Sequence, residues 1–454
     1  MSKFTKMISS IDMTTGTPWK KLLAFTIPLL IGNLFQQMYS TIDAIFLGRF
    51  VGDNALAAIG SSIPIFFLIL MISSGVAMGA GIMTSQYFGA KSRDDLSHTI
   101  GTAITLSAII SLAVMIFAPF VTRPALILLR TPPAILDDAV LYMNVLLWGI
   151  MGLTYFNMLS GILRGLGEAL APLIYLIIAS VLNIALNFFF IVILDMGVFG
   201  AAIGTVIAQA FTSVLCLLKL MKMRDVFDFG LRYLIPKKLY SYKLLKLGIP
   251  TGAAQAIFAI AMMVTQPLVN DFGEIFIAVY VVVMRIDGFV ITASFSFGNA
   301  ASVFAGQNVG ANKIDRVSTG TKQCILMSLA ATVVIVSIIL IFGQQIAGAF
   351  TETQLVIDLT IRMLWILSVG FVALSASIVL WGTIRGAGDA ISPLWGALVN
   401  SVIVRVPAAF LLVHLMGTPE AIMYSMLVAW ISNSLISVAI YRRGKWRTTS
   451  IVGS

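Results

Sequence analysis

Twelve apolar stretches divide the chain, at 20–47, 54–80, 96–120, 138–160, 169–194, 197–219, 245–269, 276–303, 318–343, 356–381, 392–416 and 419–441. A helix needs about 20 such residues to cross a bilayer. In lipid an open strand cannot satisfy its own backbone, so each stretch is expected to be a helix. The expected fold is all-α: a polytopic membrane protein with twelve transmembrane helices. Composition agrees. Of 454 residues, 59% are apolar and 11% charged, whereas soluble domains lie near ~45–50% and ~25%. No apolar-poor stretch is long enough for a soluble module. Lys20 and Lys21 lead into a run too long for a signal peptide's apolar core, and no small-residue cleavage pattern follows. Cys216 and Cys324 are isolated thiols on apolar segments and read as packing residues.

The net charge of +10 points to topology rather than to nucleic acid. Lys3, Lys6, Lys20 and Lys21 precede the first stretch. Lys91 and Arg93 follow the second, Arg164 the fourth and Arg385 the tenth. Lys219, Lys222, Arg224, Arg232, Lys237, Lys238, Lys243 and Lys246 crowd the centre. Lys313, Arg316 and Lys322 follow the eighth stretch, and Arg442, Arg443, Lys445 and Arg447 close the chain. The opposite side carries Arg49, Arg123 and Arg130. The positive-inside rule puts both termini in the cytoplasm. The basic centre marks a linker at 223–243 between an N-terminal lobe, 1–222, and a C-terminal lobe, 244–454.

The lobes repeat. Pro28 in IPLL and Pro250 in IPTG are 222 positions apart; Gln86 in SQYFGA and Gln307 in GQNVGA are 221 apart; Arg164 in GILRGLGEALAP and Arg385 in GTIRGAGDAISP are again 221 apart. Each copy has six crossings and starts on the same side. The two six-helix lobes are therefore pseudo-symmetric parallel repeats about an axis along the membrane normal, with a cleft between them suited to alternating access. The RGxG segments read as tight turns whose Glu168 and Asp389 meet the positive end of the next helix. Arg164 and Arg385 are placed to bridge loops, and Gln86/Gly89 and Gln307/Gly310 are a second structural loop pair.

The first crossing carries an acid. Asp43 lies well inside the apolar run, and at 100° per residue Gly32, Gln36, Tyr39 and Asp43 share one face. A carboxylate at this depth is costly and is a functional candidate by default. On the fifth crossing Asn183 and Asn187, four apart, share a face, and Thr205 on the sixth reaches a comparable depth. A carboxylate, two amides and a hydroxyl offer a hard-oxygen site for Na⁺ or a relay for H⁺. Packing glue between helices is the competing reading for the amides.

In the second half, Arg285 and Asp287 lie near the bilayer centre, two apart and on different sides of their helix, while Tyr280, Met284 and Asp287 share a face. Either substrate contact or an interhelical pair accounts for them. Arg405, also near mid-depth, is placed to partner an acid, and Arg362 and His414 to snorkel near the outer ends. The substrate-cleft candidates are Gln36, Tyr39, Tyr280, Met284, Arg285 and Asp287.

The stretch GNLFQQMYSTIDAIFLGRFVG, the SQYFGA and GQNVGA segments, and the RGLGEALAP and RGAGDAISP pair resemble the multidrug and toxic compound extrusion (MATE) family, most closely its bacterial MepA-like branch. The resemblance runs through both repeats. It implies two six-helix lobes forming a V, and efflux of organic, often cationic, compounds against inward H⁺ or Na⁺. The family's acid on the first helix matches Asp43. Its polar pair on the fifth helix and hydroxyl on the sixth match Asn183, Asn187 and Thr205. Some relatives have an aspartate where Asn187 stands, so Asp43 is the lone carboxylate of the cluster. NorM-type members carry acids on the seventh and tenth helices, where this chain has Phe258 and Leu374. That leaves Asp287 as the only deep acid of the C-terminal lobe.

The expected function is a multidrug efflux antiporter of the bacterial inner membrane. H⁺ or Na⁺ is the coupling ion and no other cofactor is expected. Asp43 is the coupling carboxylate, with Na⁺ at Asp43, Asn183 and Asn187 as the metal alternative. Expected partners are small-molecule drugs or organic cations and the lipid bilayer, with no nucleic acid, and the chain is expected to be monomeric. A lipid-linked precursor flippase is the alternative. It should line its cavity with several basic residues, and only Arg285 and Arg405 qualify here. An enzyme is not expected: HExxH, GxSxG and paired membrane aspartates are missing.

Overall fold

The computed structural model describes residues 10–50, 53–129 and 131–453; the side chains at 37–50, 53–56, 63, 64, 68, 72 and 73 lie outside the description. The long helices are α1 (Pro18–Phe50), α2 (Asp53–Gly89), α3 (Arg93–Leu128), α4 (Pro133–Trp148), α5 (Ile150–Gly165), α6 (Leu170–Ile193), α7 (Gly197–Met221), α8 (Lys238–Asn270), α9 (Gly273–Gly310), α10 (Ile314–Ile341), α11 (Gln354–Gly386), α12 (Ile391–Met416) and α13 (Glu420–Arg443). Among the described residues ten are single helices long and apolar enough to cross a membrane, and α4 with α5, bent by 50°, make an eleventh crossing. With α1 in the first position, every expected stretch is a helix, and the chain is a multi-pass membrane protein.

The helices overrun the apolar stretches. α2 has 37 residues, about 55 Å at 1.5 Å per residue, against a hydrocarbon core of about 30 Å. This corrects the reading of SQYFGA and GQNVGA as loops. Gln86 and Gln307 are fully buried near the ends of α2 and α9, which run on to Gly89 and Gly310. Polar residues end a hydropathic run without ending a helix. What stops both helices is a left-handed residue just beyond, Lys91 (φ 56°) and Asn312 (φ 57°), once more 221 apart.

The chain forms two compact units. One holds Ile27–Gly252 with the stretch up to Asp12; the other holds Met13–Thr26 and Ala253–Ser454. α1 and α8 therefore each change unit part-way, within two or three residues of Pro28 and Pro250.

Each unit is built on one close helix pair. In the first, α2 meets α5: a Cβ on Gly161 would lie 2.6 Å from the Ala77 carbonyl oxygen, and one on Gly165 2.6 Å from that of Gly81. In the second, α9 meets α11. Gly382 lies against the Gly298 carbonyl and Gly386 against that of Ser302, too close for any Cβ. All four pairs repeat at 221. Small residues let membrane helices approach until backbones touch. Gly382→Ala forces these backbones apart, and overpacking of this kind costs about 1–3 kcal/mol. A lower thermal midpoint in detergent than wild type is the expected result; an unchanged midpoint would remove the close seam.

The turns before α6 and α12 match the dipole reading. Glu168 Oε1 accepts from the Leu170 and Ala171 amides, each at 3.2 Å, and Asp389 Oδ1 accepts from the Ser392 amide at 2.9 Å. Gly167 (φ 84°) and Gly388 (φ 105°) make the turns. The bridging arginines are a correction. Lys219, not Arg164, reaches Glu168 (3.2 Å), and Arg385 Nε has no hydrogen-bond partner among the described residues. Both cysteines are buried and free.

The segment between α7 and α8 is fastened along α3. Arg93 binds Asp228 with two nitrogens, 2.8 and 3.1 Å, and also donates to the carbonyls of Arg224 and Asp225. The Asp228 amide donates to Ser97 Oγ at 2.8 Å, and Thr105 Oγ1 donates to the Leu234 carbonyl. Lys237 Nζ meets His98 Nε2 at 2.7 Å, and the His98 ring packs edge-on to Tyr233 and stacks on Tyr240. The Arg93 guanidinium holds the Asp228 carboxyl below the ordinary aspartate value of 3.8. A depressed pKa means that this fastening is present at neutral pH and is lost as pH falls through the folded value. Arg93→Ala should speed proteolytic nicking at 224–237 at pH 7 without changing the helix content. Equal nicking rates would sink this account.

Candidate ion-coupling and substrate site

In the first unit α6 presents Ala179, Asn183 and Asn187 on one buried stripe, the i, i+4 spacing of a helix face. α7 packs along it. Asn187 Nδ2 donates to Asn183 Oδ1 at 3.0 Å; Asn183 Nδ2 donates to Thr205 Oγ1 at 3.2 Å; Thr205 Oγ1 donates to the Ala201 carbonyl at 3.1 Å. The result is one directional relay of hydrogen bonds, with both amides 1% exposed and Thr205 half-buried. Neutral amides are cheap to bury only when so paired.

Gly204, a residue not among the sequence candidates, shapes the relay. A Cβ there would lie 2.5 Å from Asn187 Oδ1, so its missing side chain makes room for the amide. The available signal was Gly200 and Gly204 at small-xxx-small spacing next to Thr205. Just beyond Asn187 the helix widens into a π turn, Phe188–Ile193, a feature frequent at functional positions.

The structure thus joins Asn183, Asn187 and Thr205. On α1, Gly32 is buried with its Cα facing Leu173 of α6, and Gln36 is exposed. The side chains of Tyr39 and Asp43 lie outside the described residues. The oxygens of Asn183, Asn187 and Thr205 are hard donors of the kind Na⁺ takes, and the same groups can hand on a proton.

In the second unit the deep charges separate. Asp287 is 5% exposed and Arg405 4%, whereas Arg285 is exposed. Asp287 Oδ1 is buried without a hydrogen-bond partner among the described residues. Arg405 lies within electrostatic reach of Asp287 and Tyr280, but its guanidinium sits over the Phe258 ring, 5.4 Å from the centroid. It ends a π turn, Val399–Arg405. Pro407 has no N–H for the Ile403 carbonyl four residues back, which favours such a widening just upstream. Tyr280 and Met284 pack into an apolar cluster with Phe276, Phe371 and Trp430. Arg362 does not snorkel alone: it pairs with Glu420 at 3.1 Å.

Comparison with known proteins bears on the whole chain. The MatE family profile matches residues 28–189 and again 250–411, two passes 222 apart. The chain is 27% identical over 437 residues to the probable multidrug resistance protein YoeA of Bacillus subtilis, covering 91% of this chain and 92% of that one. It is 23% identical to the multidrug export protein MepA of Staphylococcus saprophyticus, covering 90% of each. Among solved structures, a MATE protein in complex with MaL6 superposes with TM-score 0.90 at 24% identity, covering 97% of this chain and 99% of that one. An outward-facing multidrug resistance MATE family transporter also reaches 0.90, at 23% identity and covering 97% and 98%. With both halves matched by one profile and the fold shared end to end, this chain belongs to the MatE family.

Proposed function

We propose that the protein is a multidrug efflux antiporter of the bacterial inner membrane, with both termini cytoplasmic. It exports organic, mostly cationic, compounds in exchange for H⁺ or Na⁺. Asp43 is the coupling carboxylate, and Asn183, Asn187 and Thr205 are its polar partners. The observation that carries this reading is the buried relay from Asn187 through Asn183 to Thr205, inside a fold whose named relatives are multidrug resistance and export proteins. Ion binding neutralises the acid and changes what these groups hydrogen-bond. That biases an equilibrium in which the binding site opens to one face of the membrane at a time. Ethidium efflux from proteoliposomes, driven by a proton or a sodium gradient imposed separately, tests it. One gradient should drive efflux. Efflux indifferent to both, or flipping of a fluorescent lipid without drug–ion exchange, would overturn the reading and favour the flippase alternative.

A further inference from the structure

The segment between α7 and α8 lies wholly in the first unit, and it dips along α3. The Asp228 amide sits at Ser97, the Tyr233 carbonyl lies against Gly101, where any Cβ would strike it, and the Leu234 carbonyl accepts from Thr105. Ser97 to Thr105 is about 12 Å along the helix axis. The first large apolar side chain that α3 leaves exposed is Ile109, one turn further in. The dip therefore ends where the lipid-facing surface of α3 begins, at the headgroup–acyl boundary of the nearer leaflet. Irregular backbone enters that zone only when protein satisfies it, and here Tyr233 is buried and the Leu234 carbonyl is bonded. What the segment turns outward is apolar with a basic rim. Leu231 is 84% exposed, Ile235 69% and Leu239 51%, at four-residue spacing. On α8 the row continues through the exposed Tyr242 and Ile249. Residues 222–246 hold seven Lys and Arg against two Asp. Among the described residues no carboxylate forms an ion pair with Arg232, Lys238 or Lys246. The nearby acids are taken up elsewhere: Asp228 by Arg93, Asp95 by Tyr240 at 2.7 Å, and Asp94 towards His98 at 3.8 Å. Asp225 is the exception, open to solvent.

We propose that the segment Leu231–Leu239 is seated on the bilayer and binds anionic phospholipid. Leu231, Ile235 and Leu239 enter the headgroup–acyl boundary, and Arg232, Lys238 and Lys246 hold the lipid phosphates. An apolar row beside uncompensated cations is the pattern of an element lying in an anionic interface. The long Lys and Arg stems reach back to the headgroups while their apolar neighbours stay in the acyl region. The bonds to α3 fix the orientation of the row, so it meets lipid as part of the protein's wall and not as a loose loop. The bilayer already surrounds the neighbouring helices at this depth, which makes it the occupant within reach. This inference is independent of the antiport reading: it concerns what holds the protein's rim to the membrane, whatever crosses the interior.

Two measurements on the full chain test it. In the first, detergent-purified protein is titrated with phosphatidylglycerol or phosphatidylcholine and the bound lipids are counted by native mass spectrometry. Wild type should bind phosphatidylglycerol more tightly. Arg232→Gln, Lys238→Gln and Lys246→Gln should each weaken that binding about fivefold, the share of one cation at an anionic surface, and leave phosphatidylcholine binding unchanged. Ile235→Ser should weaken both lipids. In the second, the fluorophore NBD is attached to Ile235→Cys in nanodiscs containing phosphatidylglycerol; Cys216 and Cys324 are buried and escape the label. Lipid bearing a nitroxide high on its acyl chain should quench the fluorophore, and aqueous iodide should not. Because these side chains are exposed, the variants are expected to fold, with wild-type helix content as the check. Equal affinity for the two lipids, charge variants with wild-type phosphatidylglycerol binding, or quenching by iodide alone would each overturn the proposal. Inorganic phosphate that displaces phosphatidylglycerol at equal concentration would also overturn it and assign the cations to soluble anions.

Discussion

Proteoliposomes containing Asp43→Asn are expected to export ethidium no faster than empty vesicles under either a proton or a sodium gradient. Asparagine keeps the size and hydrogen-bonding capacity of the side chain but has no charge to neutralise. The relay of Asn183, Asn187 and Thr205 consists of neutral groups only. None of them is an acid that can keep an arriving proton, and neutral oxygens alone hold Na⁺ more weakly than a carboxylate does, so the differential affinity is assigned to Asp43. A ligand shifts a conformational equilibrium only by its differential affinity for the two states. Removing the one titratable group assigned to the first unit's cluster should remove that differential. Binding of the drug at equilibrium should survive in Asp43→Asn, because the amide keeps the local shape. If gradient-driven export by this variant equals wild type, Asp43 is not the coupling group.

The residues that could be read from the chain were those whose meaning is local or periodic. Asn183 and Asn187 announce a shared face by their spacing, and the glycines of the RGxG turns announce a positive φ. The constant offset of 221 foretold that what Gly161 does in one unit Gly382 does in the other, down to the carbonyl each one meets. What stayed hidden was set by which helices become neighbours. Helical periodicity gives the direction in which Arg405 points from its own axis, not that Phe258, 147 positions earlier in the chain, would lie beneath it. Lys219 on Glu168 and Lys237 on His98 are likewise tertiary choices between several basic residues of equal reach. The division of α1 and α8 between the two units has no hydropathic trace, because apolar side chains suit either neighbour equally well.

The second large effect is expected at Gly204, with a thermodynamic cycle as its signature. Gly204→Ala places a methyl group 2.5 Å from Asn187 Oδ1, while the next atoms, Leu186 Cβ and Asn187 Cγ, lie 3.5 and 3.6 Å away in ordinary contact. The clash is therefore almost wholly with one oxygen. To relieve it the amide must swing away, which breaks its bond to Asn183 Oδ1. Overpacking costs about 1–3 kcal/mol, and leaving a buried polar group unsatisfied costs about 1–3 kcal/mol more. Asn187→Ala alone also strips Asn183 of its donor, so each single variant should lower the thermal midpoint and slow ion-driven export. In the double variant the obstructing oxygen is gone and the new methyl faces space vacated by the amide. Gly204→Ala should then add little to the loss already caused by Asn187→Ala, a departure from additivity expected of groups in direct contact. Additive losses in thermal midpoint and transport would mean that Gly204 serves the packing of α7 and not the placement of the amide.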